Sequence, residues 1–152
     1  MRFITEALQS LAVTLWVGGL WAIGLIVAPL LFHTLSDRSQ AGMLAGQFFT
    51  AISYVGLGCG VYLLLFRLAR SGGQAFGQLL FWSVLVMTAL AAAGQFGVQP
   101  IMASLKQQAL PSEVMQSIFR NRFAAWHGVS SVLYLIECAL GLVVVAQHGR
   151  GR

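Results

Sequence analysis

Four apolar runs, each about 20 residues or longer, constrain this chain more than any other feature. They cover residues 7–32, 46–66, 76–98 and 123–147. The hydrocarbon core of a bilayer is about 30 Å thick, and about 20 mostly apolar residues cross it as a helix. In lipid every backbone N–H and C=O must find a partner within the protein. These runs are too long and continuous for barrel strands, so they are expected to be helices. Apolar residues make up 58% of the chain and charged ones only 9%, far below the roughly 25% charged content of soluble domains. The expected fold is all-α: a polytopic four-helix transmembrane bundle with a helical extension between helices 3 and 4. Its 152 residues suit one transmembrane domain over 1–152. The first run is longer than the 7–15-residue core of a signal peptide. It is read as a retained membrane helix.

The net charge of +5 does not point to nucleic acid, because the basic residues flank the runs. An even number of spans puts both ends of the chain on one side, with Arg2, Arg67, Arg70, Arg150 and Arg152. Arg38, Lys106, Arg120 and Arg122 fall on the other side. The positive-inside rule then favours termini in the cytoplasm, and a bacterial inner membrane is the expected location. Membrane lipid is the expected partner. Small-residue pairs four apart (Gly42 and Gly46, Gly56 and Gly60, Ala93 and Gly97) suit close helix packing within the bundle, or a homo-oligomer through Gly-rich faces.

Connections are legible as well. Asp37 followed by Gln40 reads as a capping box opening a helix from about Arg38 to Arg70. Ser71–Gly72–Gly73 ends it with a glycine cap, and Gln74 begins the third helix. Pro100 marks that helix's kink or end. Pro111 and Ser112–Glu113 suit the start of a new helix. Met115, Ile118, Phe119, Phe123 and Trp126 continue it at helical spacing into the last run. A helix over 112–147 is roughly 54 Å long at about 1.5 Å per residue, so it should protrude or tilt.

The candidate site starts from Glu137, in the middle of the last run. A carboxylate at that depth costs about 2.5–3.5 kcal/mol on insertion scales. No Lys or Arg lies well inside any run to pair with it. Glu137 is therefore protonated and hydrogen-bonded, or it meets a proton or cation from outside the chain. His127, Ser131, Tyr134 and Cys138 share a face of the same run. Gln47, Thr50, Tyr54, Gly58 and Tyr62 share a face of the second, and Thr88, Gln95 and Gln99 a face of the third. Aligned stripes of this kind can enclose a polar seam, or merely bond the helices together. The seam residues are Glu137, His127, Tyr134, Ser131, Gln95, Gln99 and Tyr54, and the His127 region at its mouth is the expected functional centre. His33 and His127 fall on the same membrane side, which leaves haem or transition-metal ligation as an alternative. His148 reads as a solvated tail residue, and Cys59 and Cys138 as packing residues.

No HExxH, Walker A, GxSxG or dinucleotide-binding pattern occurs, and the four acids form no paired set; no enzyme class is indicated. The most distinctive strings are LWVGGLWAIGLIVAPLLF, FGVQPIM and RNRFAAWHGVSS. Their anchors are Trp16, Gly19 and Pro29, then Pro100, then Phe123, Trp126, His127, Gly128 and Ser130–Ser131. On these the chain resembles the transmembrane protein 205 family along nearly its whole length. The resemblance implies a four-helix membrane bundle without an established activity. Glu137 lies outside that motif, and Tyr134 stands where relatives often carry Asn. The functional expectation is an integral membrane protein that handles an ion, metal or small solute through its polar seam. The alternatives are a haem- or metal-binding module and an accessory subunit without a ligand.

Overall fold

The structure, a computed structural model, describes residues 2–108 and 116–150. All its regular elements are helices, and no strand occurs among the described residues. Four helical segments are long and apolar enough to cross a membrane: Ile4–Thr34, Arg38–Gly77, Leu79–Leu105 and Asn121–Gly149. The first comprises α1 (Arg2–Ala22), a π turn over Ile23–Val27 and α2 (Ala28–Thr34). The second is α3 (Arg38–Ser71). The third comprises α4 (Leu79–Ala92), a π turn over Ala93–Val98 and α5 (Gln99–Gln108). The fourth is α6 (Gln116–Arg150). Pro111, Ser112, Glu113 and Met115, read above as the start of the last helix, lie outside the described residues.

Asp37 caps α3 as expected, accepting a hydrogen bond from the Ser39 amide at 2.7 Å. Gln40 does not complete the box. Gly72 ends α3 with a φ of 52°, a conformation that glycine adopts without a Cβ penalty. The third span starts later than Gln74. Residues Gly72–Gly77 form a 3-10 turn, and α4 begins at Leu79 after an extended Gln78. The Gln78 side chain explains the offset: its Oε1 accepts from Arg67 Nη1 at 3.1 Å. That bond ties the turn back to α3.

Neither proline ends its helix. A proline lacks an N–H, and its ring crowds the carbonyl four residues back. For Pro29 and Pro100 those carbonyls belong to Leu25 and Phe96, which both lie within the π turns. The residue before each proline bonds five residues back, Ala28 to the Ile23 carbonyl and Gln99 to the Gly94 carbonyl. The wider turn absorbs the ring, and the span continues in helix.

The four spans form a ring in which each packs on two neighbours. The buried cluster draws on all four: Ala12, Val13, Trp16, Val17 and Leu20 from α1, Ile52 and Leu63 from α3, Leu80, Val84 and Met87 from α4, and Val144 from α6. These residues lie in the half of the bundle that holds the chain ends. Trp16, 1% exposed, is its centre. A Cβ at Gly56 or Gly60 would collide with the Trp16 indole, and at Gly60 also with Thr88. The Gly56–Gly60 pair thus serves packing inside the bundle.

In the other half the bundle divides. Beyond its π turn the first span leans onto α3: α2 packs on α3 and, among the described residues, not on α6. The third span leans the opposite way: α5 packs on α6 and, among the described residues, not on α3. Two helix hairpins, the first two spans and the last two, therefore diverge towards the Leu35–Asp37 turn.

Gly56→Leu is expected to destabilise the bundle by about 1–3 kcal/mol through overpacking against Trp16. Gly58→Ala, whose Cβ meets open space, should change stability by less than about 0.5 kcal/mol. Equilibrium unfolding in mixed detergent micelles measures both. Equal effects would contradict the placement of the α3 glycines.

Candidate functional site

The fourth span meets the first along a ladder of matched positions. The Tyr134 hydroxyl donates to the Leu20 carbonyl, and its ring lies where a Cβ at Gly24 would be. The Trp21 indole returns the contact, donating to the Cys138 carbonyl at 3.3 Å. One turn further, Gly141 lets Val17 approach to 2.9 Å of its Cβ position. Near the chain ends Ser10 Oγ lies 3.0 Å from His148 Nε2. His148 is thus half-buried and bonded to α1, not a solvated tail residue. The partner is 138 residues away, so no local pattern signals it.

Glu137 sits on this ladder between Tyr134 and Gly141. It is 7% exposed, and its Oε1 is buried without a hydrogen-bond partner. No Lys, Arg or His pairs with it among the described residues. Tyr134 lies one turn above it, towards the diverging half. There the Tyr134 ring meets Phe49 of α3 edge-on, with centroids 5.0 Å apart. Backbones of α3 and α6 do not touch among the described residues, so this aromatic pair closes the bundle across its diagonal. The order inward is the divergence of the hairpins, the Phe49–Tyr134 pair, then Glu137.

Among the other seam residues, Tyr54, Ser131 and His127 are exposed, away from buried Glu137. Gln95 is half-buried, with its Oε1 also lacking a partner. Gln99 is half-buried beside α3. Tyr54 is exposed and packs edge-on against Phe96 at 6.4 Å. Ser131 is exposed and bonds the His127 carbonyl of its own helix at 2.9 Å. His127 is exposed too, stacked on Phe123 at 6.2 Å. Ten residues of helix separate it from Glu137, about 15 Å along the axis. The α3 stripe and the upper α6 stripe therefore face outward, not into a common seam.

His33 is exposed at the end of α2, which does not approach α6. The structure does not bring His33 and His127 together. Among the described residues no three His, Cys, Asp or Glu side chains form a group able to hold a metal. Cys59 and Cys138 are free thiols packed beside the buried cluster. Of the family-motif residues, Trp16 and Gly19 are packed, and Gly19 faces Ile52. Pro29 and Pro100 are exposed and follow the two π turns. Trp126 and Ser130 are half-buried, and Gly128 is exposed.

Tyr134→Phe removes the hydroxyl bond to Leu20 and keeps the ring against Phe49. The expected loss is about 0.6 kcal/mol, the average for such contacts in membranes. Tyr134→Ala also removes the ring packing and should cost several times more. Unfolding free energies of the two variants test this split. Equal losses would mean that the hydroxyl bond to α1, not the ring packing, carries the contribution of Tyr134.

Comparison with known proteins is consistent with this architecture and adds no chemistry. Neither a curated protein nor a solved structure matches the chain. A family model described as a domain of unknown function matches residues 11–111, which include both π turns, α3 and the buried centre at Trp16. The chain belongs to this family, DUF4149.

Proposed function

We propose that this integral membrane protein handles a proton or small cation at Glu137, reached from the side of the Leu35–Asp37 turn. The observation that carries the reading is the carboxyl oxygen buried at mid-span without a hydrogen bond or ion pair. A partner-less acid at that depth is costly and is by default a functional group. The packing supports this path. The hairpins diverge above Glu137, and the Tyr134 and Phe49 side chains meet across the diagonal over it. The scarcity of grouped ligands favours a mobile ion over a tightly held metal, and the outward histidines make haem the weaker alternative.

The Tyr134–Leu20 and Trp21–Cys138 bonds favour a second reading. In it the polar groups only lock α1 to α6, and the protein is an accessory subunit. We further propose membership of the transmembrane protein 205 family, on the Phe123, Trp126, His127, Gly128 and Ser130–Ser131 motif beyond the matched segment. A bacterial inner membrane with cytoplasmic termini is proposed on the distribution of Arg and Lys.

Flux into proteoliposomes separates the two readings. With a pH-sensitive dye inside and an imposed pH gradient, the protein should exceed empty liposomes. Glu137→Gln should reduce that excess about tenfold or more, because an amide carries no exchangeable charge. His127→Ala, about 15 Å away along α6, should leave it within about twofold. Proton and potassium flux no faster than in empty liposomes, or flux insensitive to Glu137→Gln, would favour the accessory role.

A further inference from the structure

The divergence of α5 from α3 leaves a lateral groove of about 400 Å³ lined by Met43, Gly46, Gln47, Thr50, Ala51 and Gln99. Small-molecule sites run from about 300 to 1,000 Å³. Its origin is local. The π turn and Pro100 carry the third span away from α3, and the small residues Gly46 and Ala51 leave the α3 wall low. A Cβ at Gly46 would meet open space.

Three polar side chains, Gln47, Thr50 and Gln99, line this groove, and none is hydrogen-bonded within the described residues. Ser53, Ser83, Thr88 and Ser131 each donate to a carbonyl of their own helix, the ordinary resting place for a hydroxyl in a membrane helix. Thr50 makes no such bond. Among the described residues, neither the Gln47 nor the Gln99 side chain has a hydrogen-bond partner. Gln47 is exposed and Thr50 and Gln99 are half-buried at the edge of the apolar runs, so their amide and hydroxyl groups are open to an external hydrogen-bonding partner. No Lys, Arg, Asp or Glu is among the lining residues, so a phosphate or ammonium would enter without a counter-charge. An uncharged head suits the groove. Its carbonyl oxygens would accept from the Gln47 and Gln99 amides and the Thr50 hydroxyl, and its tail would remain in lipid beside Met43.

We propose that the groove between α3 and the Gln99 turn binds the uncharged, carbonyl-bearing head of a membrane-dissolved amphiphile, which enters sideways from the bilayer. Two sources share this chemistry, a quinone and the ester head of a neutral glyceride. The site is separate from Glu137 and does not depend on its role.

Photolabelling of the full chain in phosphatidylcholine nanodiscs tests this, with an azido-quinone as probe and labelled peptides identified by mass spectrometry. Saturable labelling should fall within residues 43–51 or beside Gln99. Gly46→Leu, which fills the groove at a position with open space, should reduce it about tenfold or more. Gln99→Leu, which removes one donor, should weaken it about tenfold. Glu137→Gln should not change it. Competition by unlabelled decylubiquinone assigns the site to a quinone, and competition by dioleoylglycerol alone assigns it to a glyceride ester. Either result supports the proposal. Labelling that does not saturate, that maps elsewhere, or that survives both Gly46→Leu and Gln99→Leu in variants of unchanged thermal stability overturns it.

Discussion

The structure depends on how two prolines are accommodated where no water can repair the backbone. Pro29 and Pro100 each remove one amide donor and press a ring on the carbonyl four residues back. A π turn ahead of each proline relieves both problems and keeps the span helical. The consequence is directional. Both turns lie on odd-numbered spans, which cross the membrane in the same sense, so both redirect the helix in the same half of the bundle. One span leans to α3 and the other to α6. The bundle is therefore a closed ring at the chain ends and a pair of hairpins at the Leu35–Asp37 end.

The closed half does most to hold the hairpins together, with the Phe49–Tyr134 and Tyr54–Phe96 ring contacts beyond it. Trp16 does this from α1, lying on the Gly56–Gly60 face of α3 with Thr88 of α4 beside it. Trp16 and Thr88 both meet the Gly60 face, which gathers the first three spans, and Val17 against Gly141 brings in the fourth. Association between helices in lipid rests on such close contacts, since burial of apolar surface gains little there. The α1–α6 ladder extends the seam up to Tyr134, and above Tyr134 it stops. Glu137 therefore occupies the last packed turn beneath the opening.

Much of this fold was legible in the residues, and the reasons for the rest are physical. Run length and the absence of internal charge identify four spans, because lipid imposes length and polarity so strictly. Asp37 and Gly72 mark the ends of α3 through local backbone chemistry. Pro100, however, reads as a kink or an end. Whether a proline stops a helix depends on a π turn whose stability comes from neighbouring spans. The polar stripes were legible as stripes, but not as to which way they face. Periodicity assigns Tyr54, His127 and Ser131 to helix faces, and only the packing of Trp16 and Tyr134 decides that those faces turn outward. Glu137 stands out from its chemistry alone. The residue that covers it, Phe49, belongs to an ordinary apolar pattern and carries no signal in the sequence.

We propose that Glu137 lies beneath an opening on one membrane face only, closed by Tyr134 and Phe49. Cysteine accessibility reads this directly. In a chain carrying Glu137→Cys together with Cys59→Ala and Cys138→Ala, a membrane-impermeant thiol reagent is applied separately to each face of oriented vesicles. Labelling is expected only from the face of the Leu35–Asp37 turn, slow with Tyr134 present and accelerated by Tyr134→Ala. Labelling from the face bearing Arg67 and Arg70, or no acceleration when Tyr134 is removed, would contradict it.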